Sequence, residues 1–158
     1  MKKTITVTCT KETEAVGFEL ARALDSSGIK RAFIALFGEI GVGKTAFTRG
    51  FASYFGISCV KSPTYTVLNE YRGSAKIHHF DFYRITDGDD LYSIGYDDVI
   101  EDDGYALGEW SENIVDFLPA ETVKVTILRA FAGDVSETEA SVRNITVQSD
   151  NFDFDLRI

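Results

Sequence analysis

Cysteine is scarce in this chain of 158 residues, with only Cys9 and Cys59 present. Neither belongs to a C-x-x-C pair or has a histidine at metal-ligand spacing, which leaves a disulfide framework or a zinc site without support. Both are expected as buried or half-buried free thiols. Long apolar runs are missing too: no stretch of about 18 apolar residues exists to span a bilayer. The lysines at positions 2 and 3 are not followed by the apolar core and small-residue cleavage site of a secretory signal, so a cytoplasmic protein is expected. Basic residues are in the minority, 16 Lys and Arg against 25 Asp and Glu, for a net charge of -9 and a pI near 4.7. Such a field repels phosphate polyanions and disfavours autonomous binding to nucleic acid or anionic membrane. No Pro/Gly/Ser-rich linker and no internal repeat divides the chain, and one domain spanning residues 1–158 is expected.

What is present is the composition of a packed globule. Apolar types make up 44% and charged types 26%, and a chain of this length buries roughly 70% of its unfolded surface. Residues 3–10 alternate as a half-exposed strand, then an amphipathic helix with Thr10 or Thr13 as N-cap runs to a stop at Gly28. Residues 31–37 form a continuous apolar run, as in a parallel strand covered on both faces. Residues 44–54 return to helical spacing. Two strands over 64–71 and 76–83 flank the turn Arg72-Gly73-Ser74. An acidic loop at 87–90 leads to a short helix at 91–94, and 96–103 reads as an acidic connector. A short strand at 105–108 and a short helix at 111–117 before Pro119 follow. Strands at 122–131 and 141–147 are joined by a polar hairpin-type loop at 133–139. The fold class expected is α/β, a single domain whose mixed parallel and antiparallel sheet is flanked by helices.

The decisive motif is Gly38-Glu39-Ile40-Gly41-Val42-Gly43-Lys44-Thr45, a complete G-x-x-x-x-G-K-[ST] pattern between an apolar strand and a helix. Glycines let the backbone approach phosphate oxygens, and successive N–H groups then line a nest at the positive end of the helix. Lys44 adds an ammonium for the β- and γ-phosphates, and the Thr45 hydroxyl is a ligand for Mg2+. A cation held by one hydroxyl needs a carboxylate nearby. Asp81 and Glu109 each end a predicted strand, and in open α/β sheets such carboxyl-end positions face the ligand crevice. His78 and His79 stand on opposite faces of a strand, cannot jointly chelate one ion, and are expected in core or hydrogen-bonding roles.

Further segments make the pattern more specific: Thr48-Arg49-Gly50, Lys61-Ser62-Pro63-Thr64-Tyr65-Thr66, Asn69-Glu70-Tyr71, His79-Phe80-Asp81-Phe82-Tyr83-Arg84, Glu109-Trp110-Ser111-Glu112 and Arg143-Asn144-Ile145. Together they resemble the bacterial TsaE family, formerly YjeE, small P-loop ATPases of tRNA threonylcarbamoyladenosine synthesis, over about positions 10 to 147. The resemblance implies ATP and Mg2+ as cofactors, with Gly38, Glu39, Ile40, Gly41, Val42, Gly43, Lys44, Thr45 and Ala46 around the phosphates. It implies metal contacts from Thr45, Glu109 and Asp81, and catalytic roles for Lys44, Asp81, Glu109 and Thr64. Thr64 and Tyr65 resemble a switch segment sensing the γ-phosphate, Trp110 a residue beside the nucleotide, and Thr10 and Arg143 positions near base or ribose. The implied partners are TsaB and TsaD, with tRNA reached only through them and no membrane involved. A small-molecule P-loop kinase is the alternative reading. Such kinases need an arginine-rich lid, and the arginines here are scattered along the chain. No Asn/Thr-Lys-x-Asp guanine-reading motif occurs.

Overall fold

The computed structural model describes residues 1–158. Seven strands form: β1 (Lys2–Val7), β2 (Arg31–Phe37), β3 (Leu68–Arg72), β4 (Lys76–Asp81), β5 (Gly104–Glu109), β6 (Thr122–Arg129) and β7 (Arg143–Ser149). They hydrogen-bond into one sheet in the order β1-β7-β6-β2-β5-β4-β3. Strand β2 runs parallel to β5 and β6, and β4 parallel to β5. The outer pairs β1/β7, β6/β7 and β3/β4 are antiparallel, so the sheet is mixed, as the sequence implies. Four parallel strands therefore open their carboxyl ends toward one edge, and the phosphate loop leaves β2 there.

Alternation along β2 sorts its apolar run onto two faces. Ala32, Ile34 and Leu36 join the larger core, with Val16, Leu20, Leu24, Phe47 and Phe51 from the helices α1 (Thr10–Ser26) and α2 (Lys44–Tyr54). Phe33 and Ala35 face the other way, into a smaller core with Phe80, Phe82, Tyr96 and Ile114. Helices α1 and α2 touch backbone to backbone. A Cβ on Gly50 would sit 1.9 Å from the Glu14 carbonyl oxygen, and one on Gly17 would sit 2.1 Å from that of Phe47. The smaller core is roofed by short elements: α3 (Gly88–Ser93), α4 (Tyr96–Glu101) and a 3-10 helix over Ser111–Phe117.

Several expectations from sequence need correction. Both cysteines are exposed, Cys9 at the corner between β1 and α1 and Cys59 in the connection from α2 to β3. Cys9, not Thr10 or Thr13, occupies the N-cap position and offers no side-chain cap bond. Glu12 ties the corner instead, accepting from the Thr8 amide at 2.6 Å and the Thr8 hydroxyl at 3.0 Å. The strand expected from residue 64 begins only at Leu68, because the Thr66 and Val67 amides both donate to the Pro63 carbonyl and close a turn. Residues expected as an acidic connector form α4, whose Tyr96 drops into the smaller core. The polar loop before β7 contains α5 (Glu137–Ser141), started by a reciprocal Ser136–Glu139 capping box. The tail after Ser149 buries Phe154 and Leu156 against the larger core, and Lys3 Nζ donates to the Leu156 carbonyl at 2.6 Å.

Candidate functional site

The loop from Gly38 to Thr45 turns the chain from β2 into α2. Gly43 takes φ 120° at the N-cap of α2, a conformation that a side chain would strain. Gly38 takes φ 144°, and a Cβ there would meet the Ile127 carbonyl oxygen at 2.5 Å. The Gly38 amide donates to Glu112 Oε1 at 2.8 Å, which fastens the start of the loop to the segment after β5. Lys44 is folded back over the loop. Its ammonium donates to the Gly38 carbonyl and, at 2.9 Å, to that of Glu39, and it lies 4.9 Å from the centre of a Trp110 ring. Burial pulls the Lys44 ammonium below its ordinary pKa, against the opposing pull of Glu109, Glu112, Asp81 and Glu39.

Facing the loop are the ends of β4 and β5, where parallel register sets Asp81 beside Glu109. Lys44, Asp81 and Glu109 are all buried. The Thr45 hydroxyl donates to the Glu109 carboxylate, 3.1 Å from Oε1 and 3.3 Å from Oε2. His79 Nε2 lies 2.9 Å from Glu109 Oε2. Asp81 Oδ1 accepts from the Tyr83 amide at 2.8 Å, which leaves Oδ2 for another partner. Trp110 adopts a left-handed backbone, φ 60° and ψ 39°, and its ring meets Tyr83 at 5.0 Å. For a non-glycine residue that conformation costs about 1–3 kcal/mol and is characteristic of ligand sites.

These walls enclose a cleft of about 590 Å3, within the range of small-ligand sites. Of the residues predicted from sequence, Ile40, Gly41, Gly43, Lys44, Thr45, Ala46, Thr64, Asp81, Glu109 and Trp110 line it. Gly38, Glu39 and Val42 build the loop without lining this cleft, and Tyr65 projects into solvent beside Thr64. Thr10 and Arg143 lie outside it. Thr10 is an exposed first residue of α1. Arg143 opens β7 and donates to the Ala140 carbonyl. Ala140 belongs to a second hollow, of about 550 Å3, between Glu39, Val42, Ile127, Arg129 and Phe131 on the other flank of the loop. His79 and Glu112 complete the site without having been predicted there, as does Ser62, whose hydroxyl is 2.7 Å from that of Thr64. For His79 the signal was available: it stands two residues before Asp81 on one strand, and so shares its face.

The cleft offers hard oxygen donors from Thr45, Glu109 and Asp81, a set suited to Mg2+ and not to a soft metal. No group of three or more His, Cys, Asp or Glu side chains converges as a complete metal cage. No arginine lines the cleft.

A glycine loop between a buried parallel strand and a helix, facing acids at adjacent strand ends, defines a P-loop α/β fold. A family model described as threonylcarbamoyl adenosine biosynthesis protein TsaE matches residues 7–135. The chain belongs to the TsaE family. It is 37% identical over 113 residues to the tRNA threonylcarbamoyladenosine biosynthesis protein TsaE of Bacillus subtilis (strain 168), covering 70% of each chain. To the Haemophilus influenzae protein of the same name it is 41% identical over 100 residues, 62% of this chain and 63% of that one. The crystal structure of Bacillus subtilis YdiB superposes with a TM-score of 0.68 at 29% identity, covering 93% of this chain and 84% of that one. No helix is long and apolar enough to cross a membrane.

Proposed function

We propose that this protein binds and hydrolyses Mg2+–ATP as an accessory subunit in the cytoplasmic synthesis of threonylcarbamoyladenosine in tRNA, acting with TsaB and TsaD. The observation that carries this reading is the contact of the Thr45 hydroxyl with buried Glu109 directly beneath the phosphate loop. It brings two hard-oxygen ligands together where a terminal phosphate would lie. The amides of the loop and the α2 N-terminus would bind the phosphate oxygens. Lys44, now held by loop carbonyls, would exchange those bonds for the β- and γ-phosphates. Bound Mg2+ supplies neutralisation of charge on the phosphate oxygens. Asp81, with one oxygen engaged by the Tyr83 amide and the other free, and Thr64, on the opposite lip, are the groups placed to orient an attacking water. The second hollow, walled by Arg129 and bonded to Arg143, is the space for base and ribose.

The relatives' names connect the family to a tRNA modification. A chain of net charge -9 is poorly suited to grip tRNA by itself, so the tRNA is placed on the partners. The kinase reading draws no support from the cleft, since Arg49 is held by Glu14 and Arg72 by Glu70, both away from it. Phosphate release by the purified chain, alone and with TsaB and TsaD added, tests the proposal. Weak release alone that rises when both partners are present is expected. Absence of ATP binding in the presence of Mg2+ would overturn it.

A further inference from the structure

His79 stands behind the cleft, in contact with Glu109, and the proposed chemistry gives it no task. It is wholly buried on β4. Its Nε2 meets Glu109 Oε2 at 2.9 Å, while its Nδ1 is buried without any partner. An unpaired buried nitrogen costs about 1–3 kcal/mol, which an apolar side chain in the same space would avoid. Packing alone therefore does not account for an imidazole here. Its one polar contact does.

The Glu109 carboxylate has two oxygens that are chemically equivalent, and the Thr45 hydroxyl does little to tell them apart, standing 3.1 Å from one and 3.3 Å from the other. His79 breaks that symmetry, because its contact is to Oε2 alone. We infer that His79 is a positioning residue: its Nε2–H pins Glu109 Oε2, so that Oε1 is presented, with the Thr45 hydroxyl, to the cation. The inference rests on the Mg2+-binding reading above and adds to it the group that orients the carboxylate. Hydrogen bonds to the ligands of a metal typically change its affinity by about 10–100-fold. His79 is wholly buried and does not line the cleft, so it offers a nucleotide in the cleft no surface of its own.

Two substitutions separate a directed N–H from mere polarity or volume. His79→Gln carries an amide nitrogen to the place of Nε2, whereas the shorter His79→Asn reaches only the place of Nδ1. Each protein is titrated with ADP in EDTA, and with Mg2+ at saturating ADP, by calorimetry or by the fluorescence of Trp110. Apparent Mg2+ affinity about tenfold weaker in His79→Asn, and within about threefold of the parent in His79→Gln, is expected. ADP affinity without the cation should stay within about twofold in both. A parental Mg2+ affinity in His79→Asn, or equal losses in the two variants, overturns the inference. If the parent shows no Mg2+ effect, the cation reading falls and the inference with it. If the parent responds and the variants match it, only the role of His79 falls. Should His79→Asn not fold, His79→Leu replaces it as the variant without a donor, with the same expectation.

Discussion

The two faces of the sheet are covered by different kinds of structure, and the candidate site lies where they meet. On one face, α1 and α2 run 17 and 11 residues, pack through glycine contacts and share a core of 26 buried residues. On the other, short helices roof a core of nine, with the stacked rings of Phe80 and Phe82 and the edge of Tyr96 at its centre. The phosphate loop is the start of α2 and belongs to the first face. Asp81, Glu109 and Trp110 lie at strand ends whose onward connections, including the 3-10 helix, run over the second. The wall built from the glycine loop thus inherits the firmer cover. The acids themselves end the sheet strands β4 and β5, but the segments that follow them are short, and local unfolding reaches such segments at lower free energy.

The largest effect is expected at Gly50. Because a Cβ there collides with the backbone of α1, Gly50→Val should lose more than about 4 kcal/mol in denaturant melting. A loss under about 1 kcal/mol would show that the helices separate cheaply and that the first face is no firmer than the second. Next in size, Lys44→Ala should weaken ATP binding about a hundredfold, as expected for loss of a charge-assisted phosphate contact of about 2–3 kcal/mol. Parental affinity in an ATP titration would remove the loop from the site. Substitutions on the opposite wall should divide binding from turnover. Glu109→Ala and Asp81→Ala are expected to lower phosphate release about a hundredfold and ATP affinity by no more than about tenfold. An equal fall in both would assign those acids to binding alone. The smallest effect is expected on the second face, where Tyr96→Phe removes the bond from its hydroxyl to the Phe117 carbonyl. A loss of about 1 kcal/mol is expected from urea melting.

Legibility followed the range of the interactions. The strand at residues 31–37, the helix at 44–54 and the loop between them are written in local pattern, and they appear with those boundaries. Asp81 and Glu109 were traceable because strand ends next to such a loop face one crevice. Residues 96–103 read as a loop in sequence because acidic residues on the exposed side of a short helix look like one, and only the packing of Tyr96 into the smaller core marks the helix. The cysteines show the converse: residue type favours burial of a free thiol, but both lie in connections outside the strands and are exposed.

By itself the sequence determined the α/β class, the glycine loop between β2 and α2 and the strand-end acids opposite it, because periodicity and glycine spacing are properties of neighbouring residues. Tertiary structure alone decided that Asp81 and Glu109 stand side by side, that His79 addresses a single oxygen of Glu109, and that Arg143 lies by a second hollow while Thr10 sits exposed on α1. Those relations depend on strand order and register, which join residues tens of positions apart through backbone bonds with no mark of their own in the local pattern.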